Sequence, residues 1–234
     1  LKAPVMENGR LTGRRKNKLG TPQGGVISPL LANIYLHELD KAVNREEGVF
    51  YQCGIKIIRY ADDWVLMAKR MSQRALDYLN KLLKKMKLKL NEDKSRMVNA
   101  FDESFDFLGH TFRLDDDILG RKFRKYWNVE PSRKSQLKVR DKIREYLRHN
   151  GHKPPQDVAN DLNTITRGWI NYFTIKGVTY PGRAKRDLRY YLRGKLTRYY
   201  KRKSQRKCKL YNQGAFKVLV SRYGLIDPSK HALI

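Results

Sequence analysis

Two cysteines in 234 residues, Cys53 and Cys208, are too few for a disulfide framework or a cysteine-rich zinc site, and they point to a reducing compartment. Long apolar runs are lacking too. None approaches the ~18 residues of a membrane span, and no signal-peptide pattern opens the sequence. The five histidines are scattered. Those in His149-Asn150-Gly151-His152 have no cysteine pair or acid nearby, so the segment reads as a polar loop after a helix. Acids are the last scarcity: 23 Asp and Glu face 51 Lys and Arg, leaving a formal charge of +28. Self-repulsion of that size strains a compact state unless a polyanion or counter-ions absorb it, so nucleic acid is the implied partner. Apolar residues make up 40%, enough for one or two ordinary cores.

The charge is unevenly spread. Residues 1–118 hold 21 Lys and Arg against 16 acids, a net of +5, whereas residues 119–234 hold 30 against 7, a net of +23. The step falls near Leu114–Lys125, where Asp115-Asp116-Asp117 gives way to Arg121-Lys122-Phe123-Arg124-Lys125. It divides the chain into a balanced part, 1–118, and a basic part, 119–205, followed by a short basic segment, 206–234. There is no internal repeat or low-complexity tract, although Lys201–Lys209 is a basic run.

In the first part, Gly20-Thr21-Pro22-Gln23-Gly24-Gly25 is a glycine-rich turn, Ser28 can cap a helix and Pro29 suits its first position. Leu31, Ile34, Tyr35 and Leu39 form that helix's apolar face. Ile55–Tyr60 and Trp64–Ala68 read as strands of a hairpin around Ala61-Asp62-Asp63. Arg74–Leu90 is amphipathic, with Leu76, Leu79, Leu83, Met86 and Leu90 on one side, and Phe105–Phe112 is a short strand interrupted by Gly109. Mixed strands and helices without strict alternation predict an α+β fold, an antiparallel sheet with helices on one face. The second part is all-α, three helices reading as a bundle with a basic face: Ser132 to Arg148, Asp157–Phe173 and Ala184–Lys201. Trp169 and Tyr172 fall on the apolar face and are read as core. A C-terminal unit follows, with Phe216, Val218, Leu219, Tyr223 and Leu225 as its apolar residues.

Asp is a common turn former, and two acids at a hairpin tip have that bland explanation. Here the flanks Ile57, Ile58, Trp64, Val65 and Leu66 are strongly apolar, which predicts acids on a buried sheet close to its core. Acids held together there repel unless a cation is present, and hard oxygen ligands suit Mg²⁺, which commonly takes one or two carboxylates plus substrate phosphates. Two such ions serve nucleotidyl transfer.

The box Tyr60-Ala61-Asp62-Asp63 follows Gly20-Thr21-Pro22-Gln23-Gly24-Gly25-Val26-Ile27-Ser28-Pro29-Leu30-Leu31-Ala32-Asn33 and precedes Leu90-Asn91-Glu92-Asp93-Lys94 and Phe107-Leu108-Gly109. Arg167-Gly168-Trp169-Ile170-Asn171-Tyr172-Phe173 comes last. In this order the motifs resemble those of reverse transcriptases, most of all the group II intron-encoded reverse transcriptase/maturases. The resemblance covers the chain from about Gly9 to the third basic helix, and the order of five motifs makes it specific.

The resemblance implies part of a right-hand polymerase palm followed by a helical thumb. Asp62 would be the principal metal ligand and Asp63 its neighbour, with two Mg²⁺ in the complete enzyme. Gln23 and Gly24 would lie under template and incoming nucleotide, Tyr60 and Ala61 would leave room for the nascent pair, and Leu108 and Gly109 would form the primer grip. Lys94 would be the positive group near the triphosphate, a general acid for pyrophosphate; its bland alternative is a solvated lysine. Arg167, Arg189, Arg193 and Arg198 would contact RNA. The implied partners are intron RNA, a template–primer duplex and deoxynucleoside triphosphates.

The departure from that family is at the front. These polymerases need another carboxylate from a strand preceding Pro22-Gln23-Gly24, and upstream of Gly20 only Glu7 is acidic, in a Glu-Asn-Gly turn. The chain alone is therefore expected not to polymerise DNA, and a missing N-terminal region or separate N-terminal half is expected to supply the acid. Other readings stay open: a splicing maturase whose polymerase is idle, a retron, diversity-generating or CRISPR-associated relative, or a basic structural RNA-binding protein. The C-terminal segment is read as a remnant DNA-binding unit. The expected location is cytoplasmic, in a bacterial host, with an organellar one open.

Overall fold

The computed structural model describes residues 4–7, 10–13, 25–116, 125–203 and 208–231. The chain divides into two compact units, residues 1–96 and 97–234. Both mix helices with small antiparallel sheets, so the α+β class holds.

In the first unit β1 (Pro4–Glu7) pairs antiparallel with β2 (Arg10–Gly13), and Glu7 closes that hairpin opposite Arg10. The helix α1 (Ser28–Asn44) starts one residue earlier than the sequence implies. Ile27 takes the N-cap position without a side-chain cap bond, so Ser28 is inside the helix instead of before it. After the single turn α2 (Val49–Gln52) come β3 (Lys56–Tyr60) and β4 (Asp63–Met67), an antiparallel hairpin with a two-residue loop, as its apolar strands predict. Next, α3 (Gln73–Lys85) is capped by Ser72, whose hydroxyl accepts from the Ala75 N–H. It ends short of Leu90. Lys87 takes a left-handed φ of +52°, and the Leu88 N–H turns back to the Leu83 carbonyl at 2.9 Å, which closes the helix. Leu39, Val43, Phe50, Ile55, Leu79 and Leu83 make the core. Ile34 and Tyr35, expected inside, are exposed, because the buried stripe of α1 runs through its C-terminal half.

In the second unit β5 (Phe105–Phe107), β6 (His110–Asp116) and β7 (Lys125–Pro131) form an antiparallel sheet in sequence order. The segment 105–112 is thus a hairpin turning at Leu108-Gly109, not one interrupted strand. The charge step near residue 118 lies between β6 and β7, which pair along their length, so it does not separate compact units. Split between units, the first has 20 Lys and Arg against 10 acids (+10) and the second 31 against 13 (+18).

The bundle follows: α4 (Arg133–His149), capped by the Ser132 hydroxyl, α5 (Pro155–Phe173) and α6 (Gly182–Arg202). Their heptad-like apolar stripes meet in one core of Ile143, Leu162, Ile170, Leu188, Leu192 and Leu196, all at most 2% exposed. His149 and the residues after it form the polar helix end and turn that the sequence predicts. The C-terminal segment is not a separate unit. After the short α7 (Lys209–Asn212), Phe216 and Leu219 of α8 (Ala215–Tyr223) share the bundle core. Asn163 bonds the Gly224 carbonyl at 2.8 Å and the Ile226 N–H at 2.7 Å.

Candidate functional site

The acid box sits at the tip of the β3–β4 hairpin. Strand alternation puts Ile57, Arg59, Trp64 and Leu66 on the face that meets the core, and Ile58, Tyr60 and Asp63 on the other. This corrects the expectation of buried acids. Tyr60, Asp62 and Asp63 are exposed, because the tip projects past the core and Asp63 pairs across from Tyr60 on the outward face. Neither carboxylate has a hydrogen bond or ion pair within the described residues. Ala61 has a φ of +53°, which Asp62 does not share, and so carries a Cβ at a hairpin position where glycine is usual.

Arg59, just before the box, is held from three sides. Its guanidinium donates to both oxygens of Asp40 on α1, at 2.6 Å from Nη2 to Oδ2 and 2.9 Å from Nε to Oδ1. Nη1 donates to Asn33 Oδ1 at 3.0 Å and to the Ala61 carbonyl at 2.9 Å. These bonds hold the Asp40 carboxyl below its usual range and raise the Arg59 guanidinium. Sequence reasoning missed Arg59 and Asp40; the available signal was a cation at an inward-facing strand position. Lys94 lies on an exposed turn in which its N–H donates to the Asn91 carbonyl at 3.1 Å. Gln23 and Gly24 lie outside the described residues.

A second strained turn lies in the other unit. Leu108 and Gly109 have φ of +49° and +78°, the two positive values of a type I′ hairpin. Bonds converge on it from the bundle. The Leu108 carbonyl accepts from the Tyr172 hydroxyl at 3.0 Å. The Gly109 carbonyl accepts from the Ser132 N–H and the Ser135 hydroxyl, both at 2.9 Å. Tyr172 is therefore not core: it is 54% exposed, its ring packs against Phe173 and His110 with centroids 4.8 and 5.6 Å away, and its hydroxyl reaches the turn. Trp169 is buried as expected. Below the turn, His110 packs against Phe173 with ring centroids 4.8 Å apart; its Nδ1 lies 3.3 Å from the Leu108 carbonyl and burial lowers its pKa.

Of the four candidate RNA-contacting arginines, Arg167, Arg193 and Arg198 are exposed on α5 and α6. Arg189 is engaged within the fold. Its Nε donates to Asp227 at 2.9 Å and its guanidinium lies 5.9 Å from the centre of the Phe216 ring. The Asp227 side chain is only 7% exposed and accepts from the Ser229 N–H, so this arginine ties α6 to the C-terminal segment.

Residues 1–112 match the family model for reverse transcriptase (RNA-dependent DNA polymerase), which places the first part of the chain in that class. Residues 136–214 match the group II intron, maturase-specific domain. The group II intron-encoded protein LtrA of Lactococcus lactis subsp. cremoris is 36% identical over 103 residues, 44% of this chain and 15% of LtrA. Protein YkfC of Escherichia coli is 31% identical over 121 residues, 39% of this chain and 32% of its own length. An uncharacterized 91 kDa protein in the cob intron of Schizosaccharomyces pombe is 21% identical over 227 residues, 67% of this chain and 28% of the relative. The chain thus spans well under two thirds of each relative. With the two domains in this order, it belongs to the group II intron reverse transcriptase/maturase family. No helix among the described residues is long and apolar enough to cross a membrane.

Proposed function

We propose that this chain is the palm and thumb part of an RNA-directed DNA polymerase encoded by a group II intron, which also binds intron RNA to assist splicing and mobility. The observation that carries the reading is the exposed Asp62-Asp63 pair on a strained hairpin tip, with no protein partner among the described residues. Carboxylates left free at such a tip fit a hard cation that keeps open positions for substrate phosphates. Asp62 would be the main Mg²⁺ ligand and Asp63 its neighbour. The bound ions would supply activation of the primer hydroxyl and stabilisation of the leaving pyrophosphate. Among the described residues no third acid, histidine or cysteine joins the pair, so the reading assigns the remaining carboxylate to a segment other than these.

The chain's own residues then have separable tasks. Tyr60 and Ala61 border the nascent base pair, and Gln23 and Gly24 support template and incoming nucleotide. Lys94 neutralises the triphosphate and donates a proton to the departing pyrophosphate. The Leu108-Gly109 turn holds the primer end. Arg167, Arg193 and Arg198 grip RNA phosphates, and Arg189 keeps its structural tie to Asp227. A maturase without polymerase activity is the second reading, favoured by the +18 of the helical unit, which grips RNA without any metal. The protein would act where intron RNA is made, in a bacterial cytoplasm.

Primer extension on an RNA template separates the two readings, using this chain together with the N-terminal region of its protein. Asp62→Asn is expected to abolish synthesis and leave RNA affinity within about twofold, since one exposed acid adds little to phosphate binding. Equal loss of synthesis and RNA affinity would make the hairpin structural. Full synthesis by Asp62→Asn would refute the polymerase assignment.

A further inference from the structure

The acid turn carries strain that its own sequence does not relieve. A left-handed φ costs an L-residue roughly 1–2 kcal/mol, and Ala61, at +53°, has no side-chain hydrogen bond to offset it. Asparagine or aspartate at that position would form one, and glycine would avoid the cost. The β3–β4 ladder closes the loop at Tyr60 and Asp63. Among the described residues the one side chain that bonds a backbone atom of the loop itself is Arg59, through the Ala61 carbonyl.

We propose that Arg59 is a positioning residue: anchored on α1 by Asp40 and Asn33, it holds the Ala61 carbonyl and so fixes the turn that presents Asp62 and Asp63 before any cation arrives. This rests on reading those carboxylates as cation ligands, and it adds how they are aimed. Arg59 leaves only 13% of its side chain exposed and Asp40 only 23%, so solvent competes weakly for the pair that anchors the guanidinium, while the bonds from Nη1 to Asn33 and to the Ala61 carbonyl lie at the exposed surface. The division of labour within the guanidinium is explicit. Nε and Nη2 face Asp40, and Nη1 alone spans Asn33 Oδ1 and the Ala61 carbonyl, at 3.0 and 2.9 Å.

That geometry needs a fork. A lysine ammonium carries the same charge and can pair with Asp40, but it is a point donor that cannot also span the asparagine and the carbonyl. Among the described residues no other cation takes this place: His37, the other base beside Asp40, sits 3.8 Å from its Oδ2 and has no bond to the turn. The helix α1 is thereby linked to the catalytic tip through one side chain. Preorganisation of this kind moves the cost of ordering the ligands from the binding step to folding.

The test uses the whole chain and Mn²⁺ as the probe, with three readouts: Mn²⁺ affinity from water-proton relaxation, hydrogen exchange of residues 60–64, and the urea unfolding midpoint. Arg59→Lys is expected to unfold near the wild-type midpoint, because the charge pair with Asp40 survives. Its turn amides should exchange faster and its Mn²⁺ affinity fall about threefold to tenfold, the worth of one hydrogen bond from a fixed donor. Arg59→Met should lose both midpoint and affinity, and Asp62→Asn should lose affinity alone. Unchanged turn exchange in Arg59→Lys overturns the proposal whatever the metal does. Faster exchange with unchanged Mn²⁺ affinity also overturns it, provided that Asp62→Asn weakens binding. If Asp62→Asn binds Mn²⁺ as wild type does, the reading of the carboxylates as ligands fails, and the exchange result alone then decides whether Arg59 holds the turn.

Discussion

Gly109→Ala places one methyl group where the bundle and the Leu108-Gly109 hairpin are closest. A Cβ built on Gly109 would lie 2.8 Å from the Ser135 hydroxyl oxygen and 3.5 Å from Cζ of Phe173. At a φ of +78° the alanine also incurs the left-handed cost, roughly 1–2 kcal/mol. To clear the methyl, Ser135 must swing away and release the Gly109 carbonyl, which it holds at 2.9 Å; that forfeits about 1 kcal/mol more. The expected loss is about 2–3 kcal/mol, a large part of the stability of an ordinary domain. Urea unfolding by tryptophan fluorescence measures it, in a Trp64→Phe background that leaves Trp127 and Trp169, both in the second unit, as reporters.

A double-mutant cycle separates the two causes. Ser135→Ala alone should cost about 1 kcal/mol for the lost bond. In that background there is no hydroxyl to displace, so Gly109→Ala should cost only the backbone term, roughly 1–2 kcal/mol. The same cost in both backgrounds would refute the steric argument, and a cost below about 0.5 kcal/mol in the first would refute the backbone argument as well. If the turn holds the primer end as proposed, primer extension should lose activity in Gly109→Ala at urea concentrations where the chain is still folded.

Two further outcomes follow from charge and burial. RNA affinity should fall steeply with salt, and Arg193→Ala and Arg198→Ala should each reduce the slope of log K against log salt by about 0.7–0.9. Arg189→Ala should leave that slope alone and loosen the C-terminal segment to proteolysis; an equal slope change for all three would show Arg189 to be a phosphate contact. For His110, burial lowers the folded pKa below the ordinary value of about 6.5, so the unfolded chain binds the proton more readily. Stability of the second unit should then rise with pH through the window just below about 6.5 and be lost on acidification through it. His110→Phe should flatten that limb, measured by urea midpoints from pH 5 to 8; an unchanged slope would assign the pH dependence elsewhere.

The elements most legible in the sequence were those whose signal is local. The bundle helices announce themselves by apolar spacing, and α4 starts where Ser132 can cap it. The β3–β4 hairpin is bounded by apolar strands and closes on two residues. The ends of α1 and α3 were missed by a few residues, and the larger misplacements concern what lies across space. β7 was hidden because polar Asn128 and Glu130 interrupt its apolar pattern and every residue of it pairs with β6, a strand itself read only as far as Phe112. The C-terminal segment looked like a separate unit because nothing in its composition says that Asn163, 61 residues away, bonds the Gly224 carbonyl. Arg189 looked like a free RNA contact for the same reason, with its partner Asp227 38 residues on.

For the candidate site the division has a physical origin. On the proposed reading, ligands that meet a substrate must be at an exposed tip and of fixed chemistry, so Asp62 and Asp63 appear as a compact motif. The groups that aim them need only reach the right atom, and many residue types at many separations could do so. Asp40 and Asn33 lie 19 and 26 residues before Arg59, on a different element, and no spacing rule connects them. The second turn has the same arrangement. Phe107-Leu108-Gly109 is legible as a motif, while Tyr172, which bonds the Leu108 carbonyl, lies 64 residues further on and was assigned to the core by its helical phase. Helical phase says which side of α5 a residue is on, but a tyrosine at the border of the buried stripe can send its hydroxyl either way. In this chain both strained turns are held at a carbonyl by a side chain from an adjoining helix or strand. The two motifs therefore depend on residues outside them, and their substitution should disturb the turns while every residue of the motif remains in place.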